Sequence, residues 1–266
     1  MKILIIGGGN MGLTYAKAFL HSHIIDRENL IILEKSQENK ERLSSMDVGM
    51  VFDTTGDYIQ SADLIIIAVK PQDFSELASN INTYLSKDQL VLSIMAGVPI
   101  EKISLLLGVN KIVRAMPNLP AQIGVGMTVY TSTNEVTRVE LVTVQNLLNS
   151  TGKTIYVDDE DAVDASTAIS GSGPAYVFFY IQNMVNSAIR LGFSKAEAEL
   201  LAYQTFRGTI ELYKSFDLNC REWIKKVSSR GGTTEAAFSV FEAKEVDSSL
   251  QEALMAAYKR AKELSK

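Results

Sequence analysis

The sequence predicts an α/β fold in two parts, a mostly parallel sheet covered by helices followed by an all-helical half. Three observations carry this reading. Over the first half, short apolar runs alternate with helical or polar segments, the pattern of βαβ units. A glycine triplet closes the first of these runs. Beyond Asp158-Asp159-Glu160-Asp161 no period-two segment remains, only long helical patterns.

Lys2 to Ile6 is a continuous apolar run ending in Gly7-Gly8-Gly9, after which Met11, Tyr15, Ala18 and Phe19 recur at helical spacing. Leu30 to Leu33 reads as a second strand closed by Glu34, Asp63 to Val69 as a third closed by Lys70-Pro71, and Leu90 to Met95 as a fourth closed by Ala96-Gly97. Lys111 to Ala115 and Met127 to Tyr130 flank a Pro117 to Pro120 loop, and a helix from Glu135 to Leu148 leads to a last strand, Thr154 to Val157. The helical half is expected to hold Pro174 to Leu191, Lys195 to Tyr213, Thr234 to Ala243 and Ser248 to Leu264. The composition change divides the chain into domains 1–158 and 159–266. The helix after Pro174 is apolar on nearly every side, and about a hundred residues supply little cover for such a helix. A partner subunit would supply that cover, so a homodimer, or a higher homo-oligomer of dimers, is expected. Neighbouring helices of the same chain are the alternative.

The bulk numbers narrow the function classes. The chain has 266 residues, 46% apolar and 21% charged, with 26 Lys plus Arg against 31 Asp plus Glu. No basic cluster of the kind nucleic acid requires is present. The single cysteine, Cys220, forms no internal disulfide, and with only His21 and His23 no zinc set is expected, so no metal site and a cytoplasmic, reducing setting are anticipated. Met1 to Ile6 runs directly into a strand without the features of a signal peptide. The greasiest stretch, Ala175 to Ile189, is broken by Gln182, Asn183 and Asn186 and is too short and polar to span a membrane.

Gly7, Gly9 and Gly12 form G-x-G-x-x-G between a strand and a helix. Glycine permits the sharp turn and lets pyrophosphate oxygens approach the N–H groups of the helix start, where the dipole favours negative charge. Alone the triplet often marks a mere turn. In this setting it predicts a Rossmann-type dinucleotide-binding domain at the N-terminus. Glu34 closes the second strand about where a carboxylate would accept hydrogen bonds from the adenosine ribose diol, which favours NADH. Lys35 and Ser36 follow and could hold a 2'-phosphate if Glu34 points away, so NADPH or NADH stays open; an ordinary solvated loop pair is the plain alternative.

Near the other end, Gly231-Gly232-Thr233-Thr234 precedes the apolar helical pattern Ala236, Ala237, Val240, Phe241. Unpaired N–H groups at that helix start would form a cradle for a carboxylate. A plain turn followed by a capping Thr is the alternative.

The order of short motifs resembles that of the pyrroline-5-carboxylate reductases over nearly the whole chain. They are Gly-Gly-Gly-Asn-Met-Gly at Gly7 to Gly12, Ala-Val-Lys-Pro at Ala68 to Pro71, Ser-Ile-Met-Ala-Gly at Ser93 to Gly97, Arg-Ala-Met-Pro-Asn at Arg114 to Asn118, Ser-Gly-Ser-Gly-Pro-Ala-Tyr at Ser170 to Tyr176, and Gly-Gly-Thr-Thr at Gly231 to Thr234. That family reduces 1-pyrroline-5-carboxylate to proline, a step of proline biosynthesis, with NADPH or NADH. The resemblance implies an N-terminal dinucleotide-binding domain and a C-terminal all-helical dimerisation domain that carries the substrate loop. It implies cofactor contacts from Asn10 and Met11, from Val69, Lys70 and Pro71, from Ala96 and Gly97, and from Asn118. It also implies that the Thr234 hydroxyl meets the ring nitrogen and that Ser229 helps fix the loop. Tyr176 is read as a core aromatic or a pocket wall rather than a proton donor.

Two positions depart from the family pattern: Arg230 stands where Pro is usual before Gly-Gly-Thr-Thr, and Leu119 where Thr is usual. The segment Ser215 to Arg221 also lacks a His-Pro-Gly-like turn. Two rival readings remain at this level. A hydroxy-acid dehydrogenase-like reductase resembles the chain in its glycine turn but carries a Lys on the first long helix of its second domain, and Ser170 to Ile189 contains none. A non-catalytic NAD(P)-binding regulatory relative is the other.

Overall fold

Continuous apolar tetrapeptides make the centre of the sheet because strands covered by helices on both faces need no polar side. The computed structural model describes residues 1–264. In chain order, β1 (Ile3–Ile6), α1 (Asn10–His21), β2 (Leu30–Leu33), α2 (Gln37–Ser45), β3 (Met50–Phe52), β4 (Leu64–Ile67), α3 (Phe74–Ile81), β5 (Leu90–Ser93), α4 (Ile100–Leu107) and β6 (Ile112–Met116) form the first run. They are followed by β7 (Gly126–Ser132), α5 (Arg138–Asn149), β8 (Gly152–Tyr156), α6 (Glu160–Ser166), α7 (Gly173–Arg190), α8 (Lys195–Ser215), α9 (Cys220–Val227), α10 (Thr233–Ala243) and α11 (Val246–Leu264).

The strands lie in the order β3-β2-β1-β4-β5-β6-β7-β8. Neighbours run parallel except β6 and β7, which are antiparallel. Side chains alternate across the pleat, so Ile3 and Ile5 join one core with Tyr15, Phe19 and Leu147, while Leu4 and Ile6 join another with Phe74, Ile81 and Ile103. Each such fully buried aliphatic contributes about 2 kcal/mol. After β1 the chain builds outward through β2 and β3, then returns past β1 to lay down β4. That reversal opens a crevice at the carboxyl ends of β1 and β4, the usual ligand position of an open parallel sheet.

The chain divides into two compact units, Met1–Ser172 together with the last helix from Ala257 onward, and Gly173–Ala256. The composition change at 158/159 coincides with the start of α6, yet α6 belongs to the sheet unit. Arg114 of β6 is 1% exposed, donates to Glu160 at 2.7 Å and also pairs with the buried Asp164, so α6 is held on the sheet by charge. Lys262 of α11 pairs with Asp161 in the same unit. A π-helical turn, Thr167–Gly171, then leads out of it.

In the second unit α7 and α8 bury only a small cluster, Val185, Ala198 and Ala202. Phe178, Phe179, Leu200 and Tyr203 remain exposed. The helices themselves are well started: Ser194 with Glu197 caps α8 and Asn219 with Glu222 caps α9, each a reciprocal pair. No helix among the described residues is long and apolar enough to cross a membrane.

Candidate functional site

At the end of β1 the chain turns at Gly7, whose φ of +102° suits glycine, and a Cβ there would stand 2.8 Å from the Ala68 carbonyl oxygen. Gly12 lies under the same turn, its absent Cβ only 1.9 Å from the Gly7 oxygen. A Cβ on Gly9, by contrast, would meet nothing within 4 Å. The space over Gly9 is open to an incoming group, while Gly7 and Gly12 are fixed by the protein's own close approach. Gly9 also caps α1 without a side-chain bond, and no acidic residue stands in the first turn of that helix. Its positive end is thus left for an external anion.

A cavity of about 550 Å³ opens beside this turn, lined by Gly7, Gly9, Glu34, Lys35, Ser36, Val69 and Lys70 among others. Glu34 is 8% exposed. Its Oε2 accepts the Gly8 N–H and its Oε1 the Ser36 N–H, both at 2.9 Å. Lys35 lies 3.8 Å from Asp73. Asp53 and Thr54 also line the cavity; they follow β3, a three-residue strand too short to show a period in the sequence. The hydrogen bond from Lys40 at 2.7 Å holds the Asp53 carboxyl below the usual carboxylate range.

The remaining positions are distributed as follows. Asn10 lines a neighbouring polar cavity with Lys17 and His21. Met11 packs against the core on one side of the sheet. Pro71 starts the short turn before α3. Ala96 and Gly97 follow β5, and a Cβ on Gly97 would approach Leu264 of α11 at 2.9 Å. Asn118 is spent on structure: its Nδ2 donates to the Ser170 carbonyl at 3.1 Å and its Oδ1 accepts the Met127 N–H at 2.8 Å. Asn118 thereby braces the loop after β6 against both β7 and the π-helical turn.

In the helical unit Ser229 to Gly232 form a tight turn. The Gly232 N–H donates to the Ser229 carbonyl at 3.0 Å, and Gly231 takes φ +71°. A Cβ on Gly232 would lie 2.4 Å from Ser229 Oγ, so the second glycine lets the serine side chain in. The Gly231 N–H donates to Glu235 Oε2 at 2.6 Å. Both glycine N–H groups therefore shape the turn. Among the described residues the Thr233 and Thr234 N–H groups have no acceptor, and these are the donors the start of α10 offers an anion. Glu235, in the first turn of α10, is the sequence signal for this turn, since Glu at that place after Gly-Thr-Thr is a capping position.

These parts suit a dinucleotide: an open cradle at Gly9, an uncompensated helix start, and a fixed carboxylate in the adjoining cavity. The family model for pyrroline-5-carboxylate reductase dimerisation matches residues 160–264, and the model for F420-dependent NADP oxidoreductases matches residues 2–97. The pyrroline-5-carboxylate reductase of Aquifex aeolicus is 36% identical over 265 residues, covering 99% of this chain and 97% of that protein. The Coxiella burnetii pyrroline-5-carboxylate reductase structure superimposes with TM-score 0.89 at 31% identity, covering 100% of this chain and 98% of that one. The pyrroline carboxylate reductase of Plasmodium falciparum, solved with NADP bound, gives 0.90 at 29% identity with the same coverage. Whole-length identity, a shared fold and a cradle that fits the cofactor agree: the chain belongs to the pyrroline-5-carboxylate reductase family and is an NAD(P)H-dependent oxidoreductase.

Proposed function

We propose that this chain reduces the ring C=N bond of 1-pyrroline-5-carboxylate to give L-proline, working in the cytoplasm as a homodimer or a larger homo-oligomer of dimers. The dimerisation model over residues 160–264 and the exposed apolar helices support self-association. A free, exposed Cys220 suits a reducing compartment. The observation that carries the substrate side is that the Thr233 and Thr234 N–H groups have no acceptor among the described residues, on a turn held by Ser229, Gly231 and Glu235.

When bound, the reduced nicotinamide supplies the hydride. The residues that would hold the cofactor are Gly7, Gly9 and Gly12 at the pyrophosphate, Glu34, Lys35 and Ser36 at the adenosine ribose, and Val69, Lys70 and Pro71 nearer the nicotinamide. The Thr233 and Thr234 N–H groups take the substrate carboxylate. Thr234 Oγ accepts from the protonated ring nitrogen and so orients the imine carbon. A protonated imine is already an electrophile, and hydride addition to it yields the amine with no further proton. Positioning and exclusion of water therefore carry the rate, without a strong acid on the protein.

The test is turnover of either reduced nicotinamide by the purified protein with 1-pyrroline-5-carboxylate, with a 3-oxo acid as control. Thr234→Ala is expected to lower kcat/KM for the imine by about tenfold or more, the value of one hydrogen bond to a charged group. Its dinucleotide affinity should stay unchanged. Equal loss of both properties would remove Thr234 from the substrate site, and turnover of the oxo acid alone would replace the reaction.

A further inference from the structure

We propose that Glu34 makes this chain selective for NADH over NADPH, an inference that rests on the dinucleotide reading of the glycine turn. The question is whether the carboxylate can leave. Its two oxygens are held by the N–H groups of Gly8 and Ser36, each at 2.9 Å, and the residue is 8% exposed. Swinging it out would strip two backbone donors of their acceptors at once. The negative charge is therefore a fixed part of the cavity wall.

What a fixed carboxylate accepts follows from its lone pairs. Each oxygen has given one site to a backbone N–H and keeps capacity for another donor. A ribose diol brings two hydroxyl donors and no charge, which matches that vacancy. A 2'-phosphate brings about two negative charges near neutral pH and no strong donor. Placed against a carboxylate that cannot retreat, it loses the donor contact and adds like-charge repulsion.

The surroundings offer little to offset that repulsion. Asp53, Asp73 and Glu76 line the same cavity as Glu34, against Lys35 and Lys70. Lys35 already sits 3.8 Å from Asp73, with 71% of its side chain exposed, and the nearby Lys40 is bonded to Asp53 at 2.7 Å. The start of α2, the other place a phosphate could dock, is partly spent as well: the Ser36 N–H goes to Glu34, and the Asn39 N–H goes to Ser36 Oγ.

The experiment titrates the full-length protein with NADH and NADPH, following the fluorescence of the reduced nicotinamide. Adenosine 5'-monophosphate and adenosine 2',5'-bisphosphate serve as competitors that isolate the adenosine end. No imine substrate is needed. The wild type is expected to bind NADH at least about tenfold more tightly, and to prefer the monophosphate in the same sense. Glu34→Gln, which keeps the volume and an acceptor for one backbone N–H, should shrink both ratios by about tenfold. Glu34→Ser should do the same. Equal or tighter binding of NADPH by the wild type overturns the proposal. So does an unchanged ratio in either variant once its circular dichroism shows it folded. If neither variant folds, the wild-type ratios decide alone. Binding of neither dinucleotide would bring down the dinucleotide reading too, whereas loss of imine turnover with NADH selectivity intact would leave Glu34 in its role.

Discussion

Gly9 and Gly12 are equivalent in the glycine pattern and opposite in what a methyl group would meet. At Gly9 a Cβ finds open space, and at Gly12 it would lie 1.9 Å from the Gly7 oxygen. Gly9→Ala is therefore expected to keep the wild-type melting temperature nearly unchanged while weakening dinucleotide binding about tenfold or more, since the methyl occupies the pyrophosphate's approach. Gly12→Ala should instead destabilise the fold by about 2 kcal/mol or more, because backbone must shift to admit it. Thermal melts and dinucleotide titrations of the two variants read this contrast, and a Gly9→Ala protein that binds normally would remove Gly9 from the cradle. The glycines were legible in the sequence because they sit in a fixed local pattern. The commitment of Glu34 was not, since its partner Gly8 lies 26 positions away and nothing local marks the bond. Asn118 is a similar case: its side chain is engaged by Met127 and by Ser170, 52 positions on, which only the folded chain reveals.

Among the elements, the central strands were readable from continuous apolar runs, whereas β3 was not. Met50–Phe52 is three residues at the sheet edge and only partly covered, too little for a periodic signal. The helix α9 was missed because Cys220–Val227 alternates charged with apolar residues over barely two turns, although Asn219 and Glu222 form its cap. The helix α5 shows how one element is tied down by charge. Lys111, just before β6, reaches Glu140 in the first turn of α5 at 2.8 Å, and Glu140 also closes a reciprocal cap with Thr137. Burial pushes the Glu140 carboxyl up, but Lys111 and the Thr137 hydroxyl and N–H outweigh it and leave it below the ordinary range. Donating that hydrogen bond to Glu140 raises Lys111. A lowered carboxyl stabilises the fold above its unfolded value and loses that contribution as pH falls through the folded one; a raised lysine acts across neutral pH and fails only on the alkaline side. Glu140→Gln, which can still cap, is thus expected to cost about 0.5–1 kcal/mol at neutral pH and to lose that cost in acid, at a pH where the folded carboxyl is protonated. Urea unfolding of both proteins at the two pH values checks it, and a pH-independent difference would assign the loss to packing.

At the scale of the molecule, the helical unit carries far more apolar surface than it buries. Phe179 is 71% exposed and Phe178 61%, beside a core of Val185, Ala198 and Ala202. Contiguous apolar exposure of this kind marks an interface, and residues 160–264 match the dimerisation model. Phe179→Glu is expected to shift the protein from homo-oligomer to monomer in sedimentation velocity, because a buried unpaired carboxylate is strongly disfavoured. An unchanged sedimentation coefficient would place the interface elsewhere. The apolar helix after Pro174 was readable for this reason, and the compact unit that holds it begins at Gly173, after the composition change. Composition changes at 158/159, but the buried Arg114 bonds to Glu160 and Asp164 and keeps α6 with the sheet as far as Ser172.

The sheet unit is discontinuous in sequence, and that has a bearing on how it is made. Lys262 closes on Asp161 across 101 positions, and Leu264 lies against Gly97. On the ribosome, the parallel strands emerge and can collapse long before these two contacts exist, so the nascent sheet waits with Asp161 unpaired and Gly97 uncovered until the entire helical insert has been translated. Release of a finished sheet unit is thereby linked to synthesis of the helices that bring self-association.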